Sequence, residues 1–263
     1  MHAFRTRFKK DIVAEFLPAL PVPNRIEGSR VEGPHRKKTN KVIIFCSGMP
    51  TVPAKAALIE FFAKKGYWFF FPRYRGTWES SGKFLRYPLD KDILDVINSL
   101  PRGFKDLWSG KKYKVESPEV YLLGSSFGGP AGILASRDRR VKKVVAVSPI
   151  VDWTVPSRAE RLGWVWKYWR EAFGEGIRSD KKDWNKLEKG SFYNPVRHIK
   201  EIDGKKILII HAKDDRIVTY GPVAKFAKAV GAKLITLKKG GHLSSTIVVK
   251  PKFYKKVMKF LRS

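Results

Sequence analysis

The chain has 263 residues, 43% of them hydrophobic, enough to bury the core of one large domain. No apolar run approaches the ~18 residues of a membrane span, and a single cysteine, Cys46, excludes an internal disulfide framework and suits a reducing compartment. Lys and Arg number 54 against 24 Asp and Glu, a net charge of +30. That charge favours weak, nonspecific attraction to polyanions, but runs such as Arg36-Lys37-Lys38 and Lys255-Lys256 are scattered and no nucleic-acid-binding motif accompanies them.

In chain order, residues 1–40 read as an irregular, Pro- and Lys-punctuated segment with a short helix over Lys10 to Phe16. Asp11 and Glu15 interrupt the apolar stretch that a signal peptide needs, so the segment is expected to stay uncleaved and the protein to be cytoplasmic. Lys41 to Cys46 is a short branched run and the first regular strand. Pro53 to Lys65 predicts a helix with Ala56, Ile59, Phe62 and Ala63 on one face, ended by Gly66. Tyr67 to Phe71 is the next strand, stopped by Pro72. Pro88 to Leu100 predicts a helix with Ile93, Leu94 and Ile97 inward. Strand Val120 to Gly124, a small-residue helix from Gly129 to Ser136 and strand Val141 to Ser148 follow. After an interruption come strand Lys206 to Ala212, helix Tyr220 to Val230, strand Lys233 to Leu237 and helix Pro251 to Leu261. The alternation predicts an α/β fold: a mostly parallel central sheet with helices on both faces.

The interruption, Trp153 to Lys200, is dense in aromatics: Trp153, Trp164, Trp166, Tyr168, Trp169, Phe173, Trp184, Phe192 and Tyr193. Most of these are expected to hold a small helical unit together. Trp153, Trp164 and Trp169 are the ones expected to line a substrate pocket.

Three short motifs carry the chemistry. Gly124-Ser125-Ser126-Phe127-Gly128 follows a strand directly, the setting of a nucleophile elbow, in which a sharp strand-to-helix turn exposes the serine hydroxyl. The spacing to both glycines selects Ser126 over Ser125, and a side chain at Gly124 or Gly128 would crowd the turn or the neighbouring strand. A branched strand ends in His211, with Asp214 and Asp215 behind it. Gly240-Gly241-His242 follows the last strand. A serine needs a base within reach, and the base needs an orienting acid. The candidates are therefore Ser126, His242, and either Asp214 or Asp215, with Asp152 after the sixth strand as a third acid. His2 and His35 lie in the irregular segment, His198 precedes a strand, and His211 reads as structural. Cys46 reads as a small core residue. The order Ser…Asp…His is that of α/β-hydrolases, and C-terminal strand ends of a parallel sheet share one edge.

The chain resembles an α/β-hydrolase, and specifically the catalytic domain of the prolyl oligopeptidase family, from about Lys41 to Leu261. Arg73-Tyr74-Arg75-Gly76 with Ser80, Ser81 and Gly82 resembles that family's R-G-x-x-x-S-x-G stretch. Ser148 to Trp153 and Asn194 to Ile199 resemble its segments after the sixth and before the seventh strand. His211 to Val218 resembles its H-G-x-x-D-x-x-V. The resemblance implies one α/β-hydrolase domain over 1–263, with 153–200 as a cap-like insertion between the sixth and seventh strands. It places the acid at Asp215. The oxyanion loop departs from the H-G-G or H-G-x of many relatives and reads Ser47-Gly48-Met49-Pro50. Because Pro50 has no N–H, Met49 and Phe127 are the expected backbone donors. Too little chain precedes Lys41 for the family's propeller. The expectation is a serine hydrolase that needs no metal or cofactor and cleaves carboxylic esters or small aminoacyl or peptide substrates. The alternatives are a peptidase of this family acting on short peptides and, from another class, a non-catalytic protein binding a polyanion or partner.

Overall fold

The computed structural model describes residues 2–21, 39–48, 52–157, 159 and 161–263. Eight strands form one sheet: β1 (Phe4–Phe8), β2 (Ile12–Leu17), β3 (Lys41–Cys46), β4 (Trp68–Pro72), β5 (Glu119–Ser125), β6 (Val141–Val147), β7 (Ile207–Ala212) and β8 (Lys233–Leu237). Their spatial order is β1-β2-β4-β3-β5-β6-β7-β8. From β4 to β8 every neighbouring pair is parallel. The helices are α1 (Ala56–Ala63), α2 (Asp90–Ser99), α3 (Gly129–Ala135), α4 (Leu162–Phe173), α5 (Lys181–Trp184), α6 (Tyr220–Val230) and α7 (Pro251–Leu261).

Strand alternation divides the core into two layers. Val42, Ile44 and Cys46 of β3 pack with α2, α3 and α6, while Ile43 and Phe45 pack with α1 and α7. Central strands buried on both faces read as continuous apolar runs. That is why β3, β5, β6 and β7 were visible in the sequence.

The helix expected over Lys10 to Phe16 does not form. Phe8 pairs with Ile12 in an antiparallel hairpin, and β2 joins β4 antiparallel. Lys9 and Lys10 turn the chain at φ 50° and 67° in a three-residue loop, closed by the Asp11 N–H on the Phe8 carbonyl at 3.1 Å, conformations that Gly and Asn usually mark. Two lysines conceal it. Tertiary contact decides the matter: Phe16 packs against Phe70 at 5.7 Å and Phe104 at 5.2 Å. Phe104 belongs to a small ribbon, Phe104–Lys105 with Lys112–Tyr113, that the sequence pattern did not reveal. Residues 22–38, including His35 and the Arg36-Lys37-Lys38 run, lie outside the described residues.

Between β6 and β7 the chain leaves the sheet and builds α4, α5 and short 3-10 turns over the strand ends. Trp169 packs on Phe127 at 5.5 Å and on Trp184 at 4.7 Å. The Trp153 indole donates to the Tyr193 carbonyl at 2.7 Å, and the Tyr193 hydroxyl to the Phe127 carbonyl at 2.9 Å. Four of the nine aromatics, Trp153, Trp169, Trp184 and Tyr193, thus pack on Phe127 and join this insertion to the elbow, a contact the sequence reading did not foresee.

Arg75 ties the hairpin to the layered core. Its guanidinium donates to Asp11 at 2.6 Å, to Asp95 at 2.7 Å and to Asp92. Asp92 also accepts the Arg75 backbone N–H at 2.8 Å. Burial pushes the Asp92 carboxyl up to about 6, and the Arg75 contacts only partly offset that rise. Arg75→Met would leave Asp92 buried without its counter-charge. The expected cost is about 3 kcal/mol, read by urea unfolding. The loss should be smaller at pH ~5 than at pH ~8, because a carboxyl raised above its unfolded value costs stability as pH climbs through its folded pKa.

Candidate active site

The elbow is built where β5 ends. Ser125 is still extended at φ −144°, and Ser126 turns into the left-handed region at φ 50°. One 3-10 turn, Ser126 to Gly128, then leads into α3. A non-glycine residue holds such a φ only where the surroundings enforce it. Here the enforcement is close packing. A Cβ on Gly128 would lie 2.0 Å from the Ser47 carbonyl oxygen and 2.3 Å from that of Cys46. On Gly124 it would lie 3.1 Å from both the Gly128 carbonyl oxygen and the Gly129 Cα. The turn is pressed onto the end of β3, and Ser126 lies partly exposed above it.

The loops after β7 and β8 bring the other two motifs to the same edge. His242 Nδ1 lies 2.9 Å from Asp215 Oδ2. Asp215 Oδ1 accepts the N–H groups of Ile217 at 2.9 Å and Val218 at 3.0 Å. The buried His211 adds its Nε2 at 3.3 Å from Asp215 Oδ2 and 2.8 Å from the Val218 carbonyl. Both neighbours of that nitrogen are acceptors, so Nε2 carries the proton. Burial alone would raise the Asp215 pKa; the hydrogen bonds from His211 and His242 overcome it and hold the carboxyl well below the usual carboxylate range.

Asp214 has a different task. Its two oxygens accept the N–H groups of Gly241 at 2.9 Å and Gly240 at 3.2 Å, which fixes the loop that presents His242. Asp152 is turned toward the insertion, where Oδ1 accepts from Thr154 N, Thr154 Oγ1 and Asn194 Nδ2 at 3.0, 2.8 and 3.1 Å. His198 pairs with Glu201 at the surface. Cys46 is buried, and burial together with the nearby Asp90 charge pushes its thiol up, away from thiolate chemistry. Ser148, to which the sequence reading gave no role of its own, follows β6 directly at φ 44° and accepts the Leu243 N–H at 3.2 Å. Its position at a strand end was the available signal.

Ser126 borders two cavities. One, of about 330 Å³, is mainly apolar and is lined by Phe127, Val151, Trp153, Leu162, Val165 and Trp184 among others. The second, of about 320 Å³, holds Ser126 and His242 together with Ser47, Arg73, Tyr74 and Trp78. Since His242 Nδ1 is taken by Asp215, Nε2 is the ring nitrogen outside that bond. Of the three tryptophans expected at the pocket, Trp153 lines it. Trp169 is buried behind it, against Phe127, and Trp164 faces solvent. Helical spacing explains the outcome: residues 165 and 169 share the inward face of α4, and residue 164 does not. Met49 lies outside the described residues. Phe127, the other expected donor, follows Ser126 directly, and its ring borders the apolar cavity.

The model of the prolyl oligopeptidase family matches residues 54–263. Among curated proteins, none matches the chain by sequence. Solved structures of similar fold include the Pyrococcus horikoshii acylaminoacyl peptidase, with 19% identity and a TM-score of 0.63 over 99% of this chain. This chain spans only 41% of that peptidase. A Pyrococcus furiosus esterase has 17% identity and a TM-score of 0.65, covering 99% of this chain and 89% of its own. An alpha/beta hydrolase from Penicillium sp. sh18 has 16% identity and a TM-score of 0.66, covering 95% and 93%. These likenesses establish the α/β-hydrolase fold.

The depressed Asp215 pKa has a consequence for stability. An unfolded aspartate titrates near ~3.9, so the folded Asp215 contributes stability that is present above that pH and lost as pH falls toward its folded value. Asp215→Asn is expected to be less stable than wild type at neutral pH. The gap should narrow below pH ~4 in urea unfolding curves.

Proposed function

Because the chain belongs to the prolyl oligopeptidase family, we propose that it is a serine hydrolase with Ser126 as nucleophile, His242 as general base and Asp215 as the acid that orients His242. The observation that carries this reading is the 2.9 Å Asp215–His242 bond, with Ser126 and His242 lining one cavity. Ser126 Oγ attacks a carbonyl carbon while His242 Nε2 takes its proton. The ionised Asp215 keeps the other proton on Nδ1 and stabilises the imidazolium. The tetrahedral oxyanion is received by the Phe127 N–H and by the N–H of Met49, and the start of α3 adds its positive end. His242 returns the proton to the leaving group. A water activated by the same histidine then releases the acyl group from Ser126.

The substrate reading follows from the two cavities that meet at Ser126. The first is of a size to take a short or medium acyl chain, and the second, which holds His242 and Arg73, receives the leaving group. A carboxylic ester of modest size fits both. The second reading, hydrolysis of short acylated peptides, is supported by the family and by the acylaminoacyl peptidase likeness; it uses the same attack and differs in the leaving group. Cavities of this size, one of them bordered by the insertion, favour small substrates over folded proteins.

Ser126→Ala is expected to abolish hydrolysis of p-nitrophenyl esters and labelling by a fluorophosphonate, with an unchanged circular dichroism spectrum; labelling that persists on Ser125 would overturn the assignment. Asp215→Asn should lower kcat by about four orders of magnitude. Asp214→Asn should lower it by about one, since an amide oxygen still accepts from one of the two glycines. Equal losses would show that the acid is misassigned. Ile217→Trp, which narrows the apolar cavity from a partly buried position on its lining, should shift the kcat/KM optimum toward shorter acyl chains. Ready cleavage of casein with no ester turnover would replace the small-substrate reading by an open peptide cleft.

A further inference from the structure

Trp164 points away from the cavities, and its surroundings are informative. It lies one helical turn before Tyr168 on α4, and the two rings stack at 5.3 Å with an interplanar angle of 9°. Trp164 is 55% exposed and Tyr168 44%, while the same helix buries Val165 and Trp169. The aromatic run continues inward. Tyr168 meets the edge of Phe173 at 6.2 Å, Phe173 meets Trp78 at 5.7 Å, and Trp78 lines the cavity shared by Ser126 and His242. Arg161, Leu162 and Val165, at the start of α4, border the apolar cavity. One helix thus joins an exposed aromatic pair to the edge of both cavities. Its exposed charged residues are Lys167, Arg170 and Glu171, with Arg161 just before it; the single carboxylate, Glu171, lies 3.8 Å from Lys167, which leaves a net positive face.

Trp and Tyr rings flanked by cations suit the boundary of a bilayer, where the rings sit at headgroup level and the cations meet phosphate. A second copy of the chain fits less well. Two half-exposed rings offer roughly 200 Å², against the ~800 Å² per partner of a stable interface. Two chains of charge +30 also repel one another. An anionic lipid surface accepts the rings and attracts the charge.

We propose that the outward face of α4 is a docking surface for anionic lipid bilayers, with Trp164 and Tyr168 seated among the headgroups and Arg161, Lys167 and Arg170 on their phosphates. Docking on this face holds at the lipid surface the helix whose other side borders the apolar cavity through Leu162 and Val165. The inference concerns binding, and it stands or falls independently of the role of Ser126.

The test is co-sedimentation of the full chain with phosphatidylcholine vesicles, with and without phosphatidylglycerol. Trp164→Ser/Tyr168→Ser is compared with wild type and with Lys255→Gln/Lys256→Gln on the distant α7. Wild type should bind the anionic vesicles, and less so at high salt. The aromatic double variant should bind at least about tenfold more weakly, with unchanged thermal unfolding and an unchanged rate on soluble p-nitrophenyl acetate. The α7 variant should retain most of the binding. Equal binding by the aromatic variant, or loss only in the α7 variant, would overturn the proposal. So would binding to single-stranded DNA but not to vesicles, or a dimer in solution that the aromatic variant abolishes.

Discussion

The Asp215 carboxylate is buried, yet it is held ionised by four hydrogen-bonding contacts: His242, His211 and the N–H groups of Ile217 and Val218. The edge of the sheet is organised around that charge. An uncompensated carboxylate in this position would take up a proton and lose its hold on His242. His211 supplies the compensation from inside β7, and its tautomer is set by the Val218 carbonyl. Asp214 acts on the next loop and fixes the Gly240–Gly241 backbone. Two adjacent aspartates therefore hold one histidine by different routes, one through its ring and one through its chain.

Acidic residues are scarce, and many of those present hold the fold. Asp11, Asp92 and Asp95 share Arg75, Glu15 holds Arg73, and Asp90 and Glu201 hold Arg137. Residues 216–263 contain no Asp or Glu at all. The excess positive charge is therefore left on the surface, where it sets long-range attraction. The aromatics of the insertion divide in the same way. Trp153, Trp169, Trp184 and Tyr193 lock it to Phe127, and Trp164 and Tyr168 are left outside.

The strand-to-helix turn at Ser126 depends on contacts remote in sequence. The Gly128 backbone abuts Cys46 at the end of β3 and Ser47 just after it, and Ser148, just after β6, steadies the residue after His242. In a parallel sheet the ends of β3, β5, β6, β7 and β8 lie on one edge. Each of these small approaches therefore acts on the same site. No helix among the described residues is long and apolar enough to cross a membrane.

The central strands and most helices were legible because period and composition report burial directly: Ile207 to Ala212 is buried throughout, and Pro251 to Leu261 carries a clean amphipathic pattern. The three motifs were legible because glycine spacing and strand ends constrain the backbone locally. The β1–β2 hairpin was not, because its turn places lysines at positive φ and its stability comes from Phe70 and Phe104, far along the chain. The choice between Asp214 and Asp215 rested on resemblance alone, since adjacent residues differ only in direction. The sequence by itself determined the layered α/β plan and the order of the three motifs. Only the tertiary structure decided which aspartate meets His242, which tryptophan meets the cavity and which faces solvent, because side-chain direction is set by packing between segments that the linear order does not bring together.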